Sequence, residues 1–270
     1  MTEHPHEQIR VTREGTVATI WLNRPAKRNA MNYSMWARLE DAARQLAADR
    51  SVRVVVLRGS GRHFCAGADI TELNVPRRSS ERSFAQTNID AEDVLAAVPK
   101  PTVAFISGDC IGGGCALAID CDLRIATPEA RFGITPAKLG IVYPASSLER
   151  VTRLIGPAAT KRLLFTGDLI DATEALRIGL VDEVVETGDA ANRLATLTAV
   201  LASRSLLTQV ATKSMVAAVL AHGHVPADVR ATWADAAAES GDLAEGIAAF
   251  ADRREPNFGW SGSDGRSDGF

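Results

Sequence analysis

Three consecutive glycines, Gly112-Gly113-Gly114, separate two apolar stretches of this chain. Pro101-Thr102-Val103-Ala104-Phe105-Ile106 leads in and reads as a buried strand, and Ala116 to Ile119 opens a helix. A strand that passes through glycines into a helix leaves backbone N–H groups without partners. Such groups suit an anion, or an oxygen about to become one. A second stretch repeats the pattern. Arg53-Val54-Val55-Val56-Leu57-Arg58-Gly59 reads as a strand, and His63-Phe64-Cys65-Ala66-Gly67-Ala68-Asp69-Ile70 turns through a glycine toward helix-compatible sequence. Two such units can aim two N–H donors at one point. That device, an oxyanion hole, is what acyl transfer and enolate chemistry need, each donor contributing roughly 3 to 4 kcal/mol in the transition state. Taken alone, the glycines fit a tight helix–strand packing turn equally well.

The pair FCAGADI and GxxxGGGCxLAxxCD resembles the crotonase superfamily, the enoyl-CoA hydratase/isomerase family. Further matches are Leu22-Asn23-Arg24-Pro25 with Asn29-Ala30-Met31, Phe132-Gly133 with Leu139-Gly140, Leu164-Phe165-Thr166-Gly167, and Phe250 to Phe258. They run in family order from about residue 8 to residue 258. The resemblance implies an α/β fold of repeated ββα units with an α-helical C-terminal subdomain. It implies a core over 1–188, a helical trimerisation subdomain over 189–258 and a flexible tail over 259–270. The implied substrate is a coenzyme A thioester, with no permanently bound cofactor and no metal. The implied assembly is a homotrimer or a dimer of trimers. By position in the motifs, the oxyanion donors are the N–H groups of Ala68 and Gly113. Coenzyme A contacts are expected from Lys27 and Arg28, from Ala66 and Ile70, and from Arg253 near the C-terminus.

Two expected carboxylates are missing. Resembling hydratases carry GGGCE and FGxPE, and this chain has Ala116 and Pro136 at the glutamate positions. Neither side chain can transfer a proton, so the usual acid–base pair of a hydratase is absent. Asp120 lies four residues after Ala116, on the same helix face one turn on. It is a substitute candidate, or else a carboxylate that meets backbone or a neighbouring chain at a helix end. Thr135 and Tyr143 are the other candidates. The string Thr135-Pro136-Ala137-Lys138-Leu139-Gly140-Ile141-Val142-Tyr143 resembles the methylmalonyl-CoA decarboxylase branch, although Ala68 stands where that branch has histidine. Three readings follow: a hydratase/isomerase-type acyl-CoA enzyme, a decarboxylase using Tyr143, and a non-catalytic acyl-CoA-binding protein.

The rest of the chain must position these groups. With 270 residues, 46% hydrophobic and 23% charged, it has the composition of a globular protein. A net charge of −3 argues against nucleic acid, and the apolar runs fall short of a membrane span. Met1 to Arg10 is polar and lacks a signal peptide's apolar region, which with Cys65, Cys110, Cys115 and Cys121 read as reduced core thiols suggests a cytoplasmic protein. No CxxC pair or nearby histidine offers metal-ligand spacing.

Ile9–Arg13 and Thr16–Leu22 read as a hairpin. Ser34 is expected to cap a helix to about Asp49, with Trp36, Leu39, Ala43 and Leu46 as its inner face. A polar loop from Asn74 to Arg82 precedes a helix of about 81–97. Strands are expected at 121–126, 130–133 and 181–185, helices near 145–155, 157–165 and 171–178, and alanine-rich helices from Asp189 onward.

Overall fold

The computed structural model describes residues 7–73, 75–76 and 78–262. The expected mobile loop includes Asn74 and Arg77, and most of the expected flexible tail is 263–270; these lie outside the described residues.

Strand β1 (Ile9–Glu14) turns at Gly15 into β2 (Val17–Leu22), and the two pair antiparallel from Ile9–Leu22 to Glu14–Val17. β2 alternates, burying Ala18, Ile20 and Leu22 on one face. It pairs in parallel with β3 (Val54–Gly59). Parallel pairing continues through β4 (Thr102–Ile106), β6 (Leu123–Ala126) and β9 (Glu183–Val184). Among the described residues this is one six-stranded sheet in the order β1-β2-β3-β4-β6-β9. β3 and β4 are near-continuous apolar runs because both faces of the sheet are covered. One face packs into the main core with α1 (Tyr33–Ala48), α2 (Phe84–Ala96) and α3 (Gly113–Ile119). Ala190 and Leu194 of α6 (Ala190–Ser203) pack against Val54, Val56, Val103, Phe105 and Ile125 on the other.

A second, three-stranded sheet holds β5 (Asp109–Ile111), β7 (Arg131–Gly133) and β8 (Ile170–Asp171). This corrects the sequence reading, in which strand 101–106 ran straight into the glycine turn. Three residues are too few to show a period of two, and β5 is held by partners distant in sequence, β7 and Cys65. The start of α1 is also corrected. Asn32, not Ser34, is the cap, its Oδ1 accepting from the Met35 N–H at 2.9 Å.

α4 (Ala145–Thr166) is interrupted at Gly156-Pro157, and α5 (Ala172–Arg177) follows β8. After α6 come α7 (Leu206–His222), α8 (Ala227–Ser240) and α9 (Asp242–Asp252). Lys213 of α7 reaches Asp122 at 2.8 Å, which ties α7 to the sheet. α8 buries none of its residues, while Val216, Val219, Leu220, Leu243, Ile247 and Phe250 of α7 and α9 are exposed. Among the described residues no single helix is long and apolar enough to cross a membrane. All four cysteines are buried free thiols.

Candidate active site

The segment after β3 is stitched on both sides. Cys65 N–H donates to Asp109 O, and Ile111 N–H donates back to Cys65 O, each at 2.9 Å. On the opposite side Met31 N–H donates to Gly67 O and Asp69 N–H to Met31 O, each at 2.8 Å. In this parallel bridge Met31 spends the groups flanking Ala68, so the Ala68 N–H points away from Met31. The expected helix after Asp69 is corrected to a single 3₁₀ turn, Ile70–Glu72, because Asp69 accepts from the Thr71 N–H and closes a tight turn. The Ala68 amide is therefore aimed by strand pairing, not by a helix terminus.

The Gly113 amide meets it. A Cβ built on Gly113 would lie 3.7 Å from the Ala68 nitrogen, and one built on Gly67 would lie 3.6 Å from the Gly113 nitrogen. Gly67 holds φ +101°, and its Cβ would sit 2.8 Å from Ile111 O, so the close approach of the two segments requires glycine there. Trp36 walls the space, with its Cζ2 3.1 Å from the Gly113 Cβ position. Among the described residues neither the Ala68 nor the Gly113 N–H has an acceptor. Both residues are half-buried, and two unpaired backbone donors this close together are free to hold an external acceptor.

Beyond Gly113, the Ala116 face of α3 runs into a buried polar cluster. Ala116 itself is 2% exposed. Asp120, at the end of α3, takes the Arg150 guanidinium at 3.2 Å on Oδ1, while its Oδ2 is buried with no hydrogen-bond partner. The ring of Tyr143 is partly exposed, but its hydroxyl oxygen is buried and also unpartnered. Glu92 of α2, which the sequence reading did not single out, is 1% exposed. Its Oε2 accepts from Ser147 Oγ at 2.6 Å and its Oε1 from Asn88 Nδ2 at 2.7 Å. Arg150 also pairs with Asp93 on the exposed side. Burial, then the charge of Glu92, pushes the Asp120 carboxyl well above the ordinary carboxylate range. Burial pushes Glu92 up too, and the Ser147 and Asn88 donors pull it back. Burial raises the Tyr143 phenol, with Glu92 next in effect. Among the described residues Thr135 makes no side-chain hydrogen bond to this cluster. It precedes the short 3₁₀ turn Pro136–Lys138, and its side chain makes no capping bond.

The coenzyme A candidates separate. Ala66 N–H donates to Arg28 O at 2.9 Å, which puts the 24–30 loop beside residues 66–70. Lys27 and Ile70 are exposed there, and Arg28 reaches Asp109 at 3.1 Å while keeping an exposed guanidinium. Arg253 caps α9 and, among the described residues, makes no bond to that group. Two surface clefts lie elsewhere, about 400 Å³ between α4 and α5 and about 560 Å³ between α7 and α9. Ala68, Gly113, Asp120 and Tyr143 line neither.

The description "Enoyl-CoA hydratase/isomerase" matches residues 12–261. The crotonyl-CoA hydratase of Syntrophomonas wolfei is 34% identical over 260 residues, covering 94% of this chain and 98% of its own length. Among solved structures, an enoyl-CoA hydratase/carnithine racemase from Magnetospirillum magneticum superposes with a TM-score of 0.88 at 35% identity, over 94% of this chain and 96% of that one. An enoyl-CoA hydratase from Bacillus anthracis gives 0.87 at 29% identity, over 93% and 99%. A match over nearly the full length, in sequence and in superposed fold, leaves one assignment: the chain belongs to the enoyl-CoA hydratase/isomerase, or crotonase, family.

Proposed function

We propose that this chain is an acyl-CoA enzyme of hydratase or isomerase type that holds a thioester oxygen between the N–H groups of Ala68 and Gly113 while negative charge gathers on it. The observation that carries this reading is the proximity of two backbone donors, each without an acceptor, across the Gly67–Gly113 approach. Donors already aimed at the developing charge cost no reorganisation when the reaction occurs. Lys27, Arg28, Ala66 and Ile70 form the rim that the coenzyme A arm would cross, with exposed cations suited to its phosphates. Arg253 joins that contact only if the end of another protomer brings it near. The exposed apolar residues of α7 and α9 fit burial between copies of this chain, in a trimer or a dimer of trimers. Light scattering on a sizing column reads that mass directly.

The unpartnered Tyr143 hydroxyl favours a second reading, decarboxylation of a malonyl-type ester. Glu92 and Asp120 weigh against it, because a substrate carboxylate beside Tyr143 would meet two buried carboxyl groups. A panel of CoA esters followed by mass spectrometry separates the readings. Water addition or double-bond migration supports the first. Carbon dioxide release, lost in Tyr143→Phe, selects the second. Tight binding without turnover on any ester leaves a binding protein and refutes the enzyme reading.

A further inference from the structure

The family's two glutamate positions hold Ala116 and Pro136, yet the described core contains two buried carboxyl groups beside the same helix face. Asp120 shares the face of α3 on which Ala116 lies. Glu92 comes from α2, and α2, α3 and α4 pack on one another. Buried carboxyls alone could be structural. Two orphaned atoms argue otherwise: the Asp120 side chain is only 1% exposed and, among the described residues, neither its Oδ2 nor the Tyr143 hydroxyl has a partner. Each such orphan costs about 1–3 kcal/mol unless something binds it.

The hydrogen bonds divide the roles. Both Glu92 oxygens receive donors, from Ser147 and Asn88, which favour its charged form against the burial that opposes it and leave it the better proton acceptor of the two. Asp120 Oδ2 faces no donor, the environment of a protonated oxygen that donates. Reach follows from helix geometry. Asp120 lies about 10 Å beyond Gly113 along α3 at 1.5 Å per residue. Its side chain leans back toward the helix N-terminus, which brings the carboxyl to roughly 7 or 8 Å. An acyl chain whose oxygen sits at the Gly113 amide places its third and fourth carbons about 4–5 Å along the same direction.

We propose that Glu92 and Asp120, with the Tyr143 hydroxyl beside them, are the proton-transferring pair of this site and act on the γ-carbon of a short 2-enoyl thioester, with Glu92 accepting the proton and Asp120 returning one. This rests on the thioester-enolate reading above. The step balances without a co-reactant. The C4–H bond breaks, its proton goes to a Glu92 oxygen, and its electron pair forms the C3–C4 double bond. The C2–C3 pair moves to C1–C2, and the carbonyl oxygen carries the charge between Ala68 and Gly113. A proton from Asp120 then returns to C2 or C4 and collapses the dienolate, and the proton held by Glu92 passes to the Asp120 carboxylate, which restores the pair.

Crotonyl-CoA in D₂O is the probe, with deuterium located by mass spectrometry and NMR. The wild type should take up deuterium at C4. Glu92→Gln and Asp120→Asn should each slow that uptake at least about 100-fold, with the crotonyl-CoA Kd within about threefold and the melting transition kept. Ser147→Ala removes a donor from the Glu92 carboxylate, so the low-pH limb of the uptake rate should move to higher pH. A purely structural Glu92 would leave that limb in place. The other ionisable groups facing it are Asp93 on α2, Asp120 on α3, Arg150 on α4, and Tyr143. If Glu92→Gln does not fold, the Ser147→Ala profile decides. Uptake within about threefold of wild type in Glu92→Gln or Asp120→Asn, an unmoved profile in Ser147→Ala, or deuterium confined to C2 of the 2-enoyl ester with no 3-enoyl product would overturn the proposal. If Gly113→Ala abolishes uptake while Glu92→Gln keeps it, the enolate reading survives alone. A wild type that neither exchanges nor hydrates any ester ends both.

Discussion

Replacing Gly113 by alanine puts one methyl group into the space between Trp36 and the Ala68 amide. The new carbon would lie 3.1 Å and 3.3 Å from Cζ2 and Cη2 of Trp36, a side chain that is fully buried. Those contacts are a few tenths of an ångström too short, and Trp36 has little room to retreat. Overpacking of this kind costs about 1–3 kcal/mol. Alanine in place of glycine at a helix start returns about 0.5–1 kcal/mol through backbone entropy. The net loss is therefore roughly 0–2.5 kcal/mol, a fall in Tm of at most about 10 °C for a chain near this size. The effect on turnover should be larger. A methyl 3.7 Å from the Ala68 nitrogen crowds the position an oxyanion must occupy, and displacing one donor costs about 2.7–4 kcal/mol, or 10²- to 10³-fold in kcat. The assay pairs a thermal melt with crotonyl-CoA turnover and deuterium uptake. A Gly113→Ala protein that melts lower yet turns over within threefold of wild type would refute the reasoning, because it would show that the oxygen binds elsewhere.

Gly114→Ala should behave differently, since its Cβ would lie 2.4 Å from Cys65 O and 2.7 Å from Cys65 Cβ. Neither backbone can yield, so soluble yield and the melting transition should collapse before activity can be read. Asp120 makes stability depend on pH. Its folded-state carboxyl titrates above its unfolded value of about 3.9, so its contribution is fully present below that value and is lost as pH rises toward the folded value, by up to about 1.4 kcal/mol per pH unit. Urea denaturation from pH 5 to 8 should show that decline in the wild type and a flatter profile in Asp120→Asn. Lys100, drawn down to about 8 by burial, donates to the carbonyls of Leu46 and Asp49 at the end of α1. Lys100→Ala should cost about 1–3 kcal/mol in the same denaturation assay.

The approach of the Ala68 and Gly113 amides was legible in the sequence because it belongs to the backbone, and the glycines that permit the Gly67–Gly113 contact are printed in the motif. Its geometry was only half legible. Ala68 owes its aim to Met31, 37 positions earlier in the chain, rather than to a following helix. Glu92 could not be read at all. On α2 it looks like one polar residue of an amphipathic helix, and its burial comes from Ser147 and Arg150 on α4. The helix cap was ambiguous for a local reason: Asn32 and Ser34 both suit the role, and the Ser34 hydroxyl ends up donating to Asn32 Oδ1. Asp120 and Tyr143 could be named from their positions, but the burial they share with Glu92 depends on how α4 folds back onto α3 and α2.

The double stitching of residues 65–69 has a spectroscopic corollary. Met31, Cys65, Asp69 and Ile111 hold their amide protons in backbone bonds, while those of Ala68 and Gly113 have nothing to hold them. Within one stiff loop, slowly and rapidly labelled positions should therefore alternate, a contrast that segmental opening cannot produce, since opening would release neighbours together. When an acyl thioester docks, those two resonances alone should gain protection, and the loop itself would report occupancy without any attached label.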